Sequence, residues 1–306
     1  MPTAVTRQGL PSGPTDEIDG KPPRVQNILI CSGTWLLDLI PESHLTAAMA
    51  LQHGSEPITQ GETPRPTSML TCACIVGLVD ADQAVTTGSG VRLVYETAGI
   101  RGAPPMVLLH ALGERGANWT PVMRRFAESF EVFALDLRGH GGSDWPGTYS
   151  FQLMCDDVVG VLDQLGLGKV TLVGHSMGGT VAYLVATRRP DRIERLIVED
   201  VPPPYPRDRA IPDRPAGPLD FDWAVVPAIV SQVNSGDPAA WDGLGAITAP
   251  TLLIGGGPES HIPQDKLAAV AARIPRCDLV TIPAGHHVHE THPAEFAEAV
   301  LSWLHA

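Results

Sequence analysis

The chain has 306 residues, 43 % of them hydrophobic and 18 % charged, which is enough apolar material for one large domain and excludes a disordered or collagen-like polypeptide. Acidic side chains outnumber basic ones 34 to 21, giving a net charge of −13, so the surface repels phosphate backbones and nucleic acid is excluded as a partner. The five cysteines are odd in number and irregularly spaced, which argues for free thiols over a disulfide framework.

Residues 1–80 are rich in Pro, Gly, Ser and Thr and show no strand–turn–helix rhythm, apart from a short helix expected over 45–52. They are expected to form a flexible or weakly ordered extension, with a small accessory domain as the alternative. The apolar stretch Val25–Ile40 starts late, contains Asp38 and lacks a clean cleavage site, so it is not read as a signal peptide. No run of 18 apolar residues occurs. No membrane span is therefore expected, and the expected location is cytoplasmic.

From about Val91 the pattern changes. Strands are predicted at 91–96, 106–110, 132–136, 170–174, 196–200, 251–255 and 278–282. Most are apolar on both faces, which suits parallel strands covered by helices. Helices are predicted at 151–165, 180–188, 264–274 and 293–304. Alternating strands and helices imply an α/β fold with a mostly parallel central sheet and flanking helices. Residues 201–248 break the rhythm with a proline-rich run, and a small cap insertion carrying Phe221, Trp223 and Trp241 is expected there.

Gly174-His175-Ser176-Met177-Gly178 matches G-x-S-x-G between a predicted strand and a predicted helix. That setting lifts Ser176 above the sheet as a nucleophile, on a turn whose glycines let strand and helix close together. His110-Ala111-Leu112-Gly113 follows an earlier strand. The backbone N–H groups of Leu112 and Met177 are the expected oxyanion donors, each worth roughly 3 kcal/mol of transition-state stabilisation. A base is expected after the last strand, in Gly285-His286-His287-Val288-His289, with His286 favoured over His287 and with His289 and His292 structural. No carboxylate or cysteine at usual ligand spacing accompanies these histidines, so no metal is expected. Glu259, after the 251–255 strand, is the favoured acid to orient His286. Asp200, at the end of the preceding strand, is the alternative. His110, Trp119, Phe221 and Trp223 are expected around a modest apolar substrate pocket.

With these pieces in order, and with Asp136-Leu137-Arg138-Gly139-His140-Gly141-Gly142-Ser143 and Ala249-Pro250-Thr251-Leu252-Leu253 between them, the chain from about Val91 onward resembles the α/β-hydrolase superfamily. It is most similar to the bacterial esterase/lipase subgroup with a G-x-S-M-G-G elbow. The resemblance implies an eight-stranded sheet, a Ser–acid–His triad, no cofactor, and a small-molecule ester as substrate. Carbon–carbon bond hydrolases and lactonases share these features, as would a non-catalytic ligand-binding scaffold. Ala111 and Glu259 depart from the family's usual residues, and the first 80 residues find no match in it.

Overall fold

The computed structural model describes residues 80–306. The expected extension and its short helix lie outside the described residues. Eight strands form one sheet: β1 (Asp80–Thr86), β2 (Arg92–Ala98), β3 (Pro105–Leu109), β4 (Glu131–Leu135), β5 (Val170–His175), β6 (Ile193–Glu199), β7 (Thr251–Gly255) and β8 (Cys277–Thr281). Their spatial order is β1-β2-β4-β3-β5-β6-β7-β8. β1 and β2 run antiparallel at one edge, and the other six strands are parallel. The expected mostly parallel sheet with flanking helices is therefore the observed one.

The two faces of the sheet explain the uninterrupted apolar strands. Along β3, Val107 and Leu109 face one cluster, shared with Val158 and Val161 of α2 (Phe151–Gln164) and Val181 and Val185 of α3 (Met177–Arg188). Met106 and Leu108 face the other, shared with Met123 and Phe126 of α1 (Thr120–Phe126) and Phe296 and Val300 of α8 (Pro293–Leu304). All four β3 residues are completely buried, and burying a side chain of this kind contributes about 1.5–3 kcal/mol. α2 begins where Ser150 caps it, its hydroxyl accepting from the Leu153 N–H at 3.1 Å. Among the described residues no helix is long and apolar enough to cross a membrane.

Between β6 and β7 the proline-rich segment runs without regular structure to residue 224, apart from a single bridge between Phe221 and His140. It then forms α4 (Val225–Ser235) and α5 (Pro238–Gly243). Val225, Ile229 and Val230 of α4 are buried. The segment therefore brings its own apolar stripe to the fold rather than lying loose over it. The chain closes with α6 (Gln264–Ala271) between β7 and β8, and with the short α7 (Val288–Thr291) before α8.

One buried ion pair ties the turn after β4 to α2. Arg138 forks onto Asp157 through both Nε and Nη2, the latter at 2.6 Å, and the two side chains are only 5 % and 1 % exposed. Removing one partner strands a charge in the interior. Asp157→Ala is expected to cost about 3–5 kcal/mol in urea denaturation, and the paired replacement Arg138→Met with Asp157→Leu much less.

Candidate active site

Three strand ends meet where β5 gives way to α3. The register sets Leu109 of β3 beside Gly174, and His175 beside Glu199 of β6. The loop after β3 and the end of β6 therefore flank Ser176 on its two sides. Ser176 sits at φ 49° and ψ −112°, a conformation that side chains rarely adopt and that costs about 1–3 kcal/mol. The turn is tight enough to exclude any Cβ at its glycines. One on Gly174 would lie 2.5 Å from the Gly178 carbonyl oxygen, and one on Gly178 would lie 2.3 Å from that of Leu109. The Gly178 N–H donates to the His110 carbonyl at 3.1 Å, binding the start of α3 to the β3 loop.

That loop is fixed from below by two buried histidines. His110 lies with Nδ1 2.7 Å from the Ala111 carbonyl, and its Nε2 accepts from the Leu137 N–H at 2.9 Å. His140 Nε2 accepts from the Gly113 N–H at 3.1 Å. Burial pushes His110 down to about 4 and His140 down to about 3, so both rings are neutral near pH 7 and keep these roles. Among the described residues neither the Leu112 nor the Met177 N–H has an acceptor. Both residues line the cleft that Ser176 opens into.

His286 reaches this point from the far side of β8. The loop folds back through Gly285, whose N–H donates to the Gly256 carbonyl at 3.0 Å, and His175 Nε2 holds the His286 carbonyl at 2.8 Å. His286 Nδ1 donates to Asp200 Oδ2 at 2.8 Å, leaving Nε2 as its free nitrogen. No direct hydrogen bond joins Ser176 and His286. In unliganded sites such bonds often tighten only when substrate enters.

The favoured acid, Glu259, is not His286's partner. Glu259 is exposed in the turn after β7 and makes no hydrogen bond to the ring. The physical reason lies in strand order. β6 adjoins β5 directly, and Asp200 leaves its end with φ 47°, completely buried. The β7 turn supplies donors to that carboxylate instead of a carboxylate of its own: Gly256 N–H at 2.8 Å, Gln264 Nε2 at 3.2 Å and the Ser260 hydroxyl. Burial works against ionisation of Asp200, but His286, Ser260 and Gly256 outweigh it and hold its pKa below the ordinary value. Burial likewise holds His286 below 6.5, although Asp200 opposes the shift.

The other histidines divide as follows. His289 is completely buried, its Nδ1 2.8 Å from Glu199 Oε2, with its ring stacked at 4.1 Å on Trp119. His287 pairs with Glu114 at 3.2 Å, and His292 meets only the Thr291 hydroxyl. Glu114, His175 and His289 set three ligand atoms within 4.8 Å of one another, and there His175 Nδ1 and His289 Nε2 are buried without hydrogen-bond partners among the described residues. This donor set suits a metal ion. Burial disfavours charge on His175, but Glu199 and Glu114, the latter 3.6 Å from Nδ1, outweigh burial and raise it to about 9.

The residues expected around the substrate are placed elsewhere. His110 and Trp119 are completely buried. Phe221 lies over Gly113 and stacks on His140, and Trp223 packs on Phe221. None of the four lines the cleft. Its apolar wall is Phe151, Val201, Ile229, Val230, Val233 and Ile262, and its polar positions are Thr180, His261, Arg207 and Arg209. The apolar spacing of α4 signals a buried stripe in sequence, but not that the stripe faces Ser176.

A family model described as alpha/beta hydrolase fold matches residues 104–224. Epoxide hydrolase 4 of Mus musculus is 42 % identical over 119 residues, covering 38 % of this chain and 33 % of that protein. The chain thus spans about a third of the length of the first relatives it matches. The sn-1-specific diacylglycerol lipase ABHD11 of Mus musculus is 27 % identical over 248 residues, 66 % of this chain and 81 % of that one. A hydrolase from Pseudomonas aeruginosa PA01 superposes with a TM-score of 0.65 at 25 % identity, over 74 % of this chain and 98 % of its own.

Two outcomes are expected. Asp200→Asn should lower kcat by about 10³–10⁴-fold in steady-state assays, while Glu259→Gln stays within about twofold. The acid limb of kcat/KM against pH should have its midpoint below 6.5. Protonation removes the base, and a depressed pKa delays that protonation to lower pH, so activity at pH 6 should remain substantial.

Proposed function

This chain belongs to the α/β-hydrolase superfamily, and from that premise we propose that it is a serine hydrolase cleaving carboxylic esters of small to medium size through an acyl-enzyme. The observation that carries this reading is Ser176, held at positive φ on the β5–α3 turn, facing the same cleft as the unclaimed N–H groups of Leu112 and Met177. A strained serine beside two free amides has no structural use for that strain, and an attacking hydroxyl beside an oxyanion site does.

Ser176 Oγ attacks the acyl carbon while its proton passes to His286 Nε2. The carbonyl oxygen becomes an oxyanion held by Leu112 and Met177. Asp200 stabilises the imidazolium through Nδ1. Collapse expels the alcohol, which takes the proton from Nε2. A water then repeats the sequence on the acyl-enzyme and regenerates the Ser176 hydroxyl.

The epoxide hydrolase relatives raise a different reaction, and chemistry argues against it here. A serine that opened an epoxide would be left as an alkyl ether. Water has no carbonyl carbon to attack in that adduct, so turnover would stop after one event. An acyl-serine, by contrast, is hydrolysable by the same groups that formed it. The likeness to a diacylglycerol lipase agrees with ester cleavage.

A fluorophosphonate probe is expected to label the chain at Ser176, and Ser176→Ala to abolish both labelling and hydrolysis of short p-nitrophenyl esters. Absence of labelling in the folded wild type overturns the reading.

A further inference from the structure

The residues lining the cleft beside Ser176 include two arginines, Arg207 and Arg209, and no carboxylate. Arg207 and Arg209 come from the proline-rich segment after β6. In a chain where acidic groups outnumber basic ones 34 to 21, partners for arginine are plentiful, and Arg138, Arg189 and Arg192 each grip an aspartate. Among the described residues neither Arg207 nor Arg209 has a carboxylate within ion-pair distance. Asp208, between them in sequence, is exposed and pairs with neither. Asp200 is already occupied by His286, Ser260, Gln264 and Gly256.

The backbone that carries the pair is held in place, with Arg207 half-buried and Arg209 exposed. Asn234 at the end of α4 grips the segment at both residues. Its carbonyl accepts from the Arg207 N–H at 3.1 Å, its Oδ1 accepts from the Arg209 N–H at 2.9 Å, and its Nδ2 donates to the Arg209 carbonyl at 2.8 Å. The Arg207 guanidinium lies 5.0 Å from the Tyr205 ring, whose hydroxyl is 3.5 Å from Nη1. Lys266 approaches the same ring at 5.4 Å, adding a third cation. Arg207 Nε is nevertheless buried with no hydrogen-bond partner among the described residues. A buried donor on a charged group left unpaired costs free energy unless something else accepts from it. The positive field reaches the catalytic end. His261, whose ring is 4.3 Å from that of His286, is pushed down to about 4 by burial, by His286 and by Arg209.

We propose that Arg207 and Arg209 form an anion subsite, and that the ester turned over at Ser176 carries a carboxylate a few bonds from its scissile carbonyl, as in a half-ester of a short dicarboxylic acid. The inference rests on the ester-hydrolase reading and names its substrate class. A planar carboxylate matches the fork of a guanidinium, and the apolar wall of Phe151, Ile229 and Val233 suits the methylenes between the two functional groups. Neutral lipid chains would leave both arginines unpaired.

The test compares matched esters in a pH-stat. Monomethyl glutarate is set against methyl valerate, which places the charge on the acyl side, and 4-acetoxybutyrate against butyl acetate, which places it on the leaving side. At least one anionic member should exceed its neutral partner in kcat/KM by about tenfold or more, mainly through KM, and added salt should shrink the ratio. In Arg207→Gln/Arg209→Gln the ratio should fall to near one, and Arg→Lys at both positions should restore part of it. Arg101→Gln, an exposed arginine far from the cleft in sequence, serves as the charge control and should leave the ratio intact. Anionic preference absent in both pairs, or unchanged in the double variant, overturns the subsite while leaving ester hydrolysis standing. If no ester is cleaved and the fluorophosphonate fails, the hydrolase reading falls separately. Calorimetric titration of Ser176→Ala with glutarate then decides the subsite by itself. Binding lost in the double variant supports it, and no binding overturns it.

Discussion

The site depends on how closely α3 approaches the end of β3. Two backbones meet there with no room for a side chain, and the Gly178 N–H closes the gap by bonding the His110 carbonyl. That single approach sets the strained φ of Ser176, brings its N-terminal amides beside the β3 loop, and places Leu112 and Met177 on one cleft. The strain is small against the burial of both strand faces, so the sheet can hold the turn in a conformation it would not adopt alone. Rigid elements on either side, rather than the turn's own preference, fix the geometry.

Around this point polar groups are buried in layers, most of them bonded to a neighbouring strand end or loop. His110 and His140 stay neutral and pin the loop carrying Leu112. Glu199 holds His289, Asp200 holds His286, and the turn after β7 spends its donors on Asp200. His175 links the layers: its Nε2 fixes the His286 backbone while its Nδ1 lies 3.6 Å from Glu114, and Glu199 and Glu114 raise its pKa. Low dielectric makes each contact stronger and each orphan costlier, so the network holds the loop after β8 to one position.

The distribution of charge follows a similar logic. Among the described residues several arginines, Arg125, Arg188, Arg189 and Arg192 among them, meet carboxylates at the surface, whereas Arg207 and Arg209 sit at the cleft without one, their backbone clamped by Asn234. The chain as a whole carries a net charge of −13, while Arg207 and Arg209 give the cleft the opposite sign.

Much of this was legible in the amino-acid sequence. The strands announced themselves because parallel strands covered on both faces must be apolar throughout, and the elbow because its glycines and serine are adjacent in the chain. His286 was legible for the same local reason, as a Gly-His pair leaving the last strand. The choice between Glu259 and Asp200 was not. Both follow a strand, and only the lateral order of the strands brings the end of β6, not the turn after β7, to His286. The lining of the cleft was not legible either: Trp119 and Phe221 carry suitable chemistry, but tertiary packing turns one onto His289 and the other onto Gly113, and gives the cleft to α4 and two arginines. Sequence determined the elements and the local turn, because those depend on neighbours in the chain. Tertiary structure alone decided which acid faces the base and what lines the cleft, because those contacts join residues that only the folded sheet brings together.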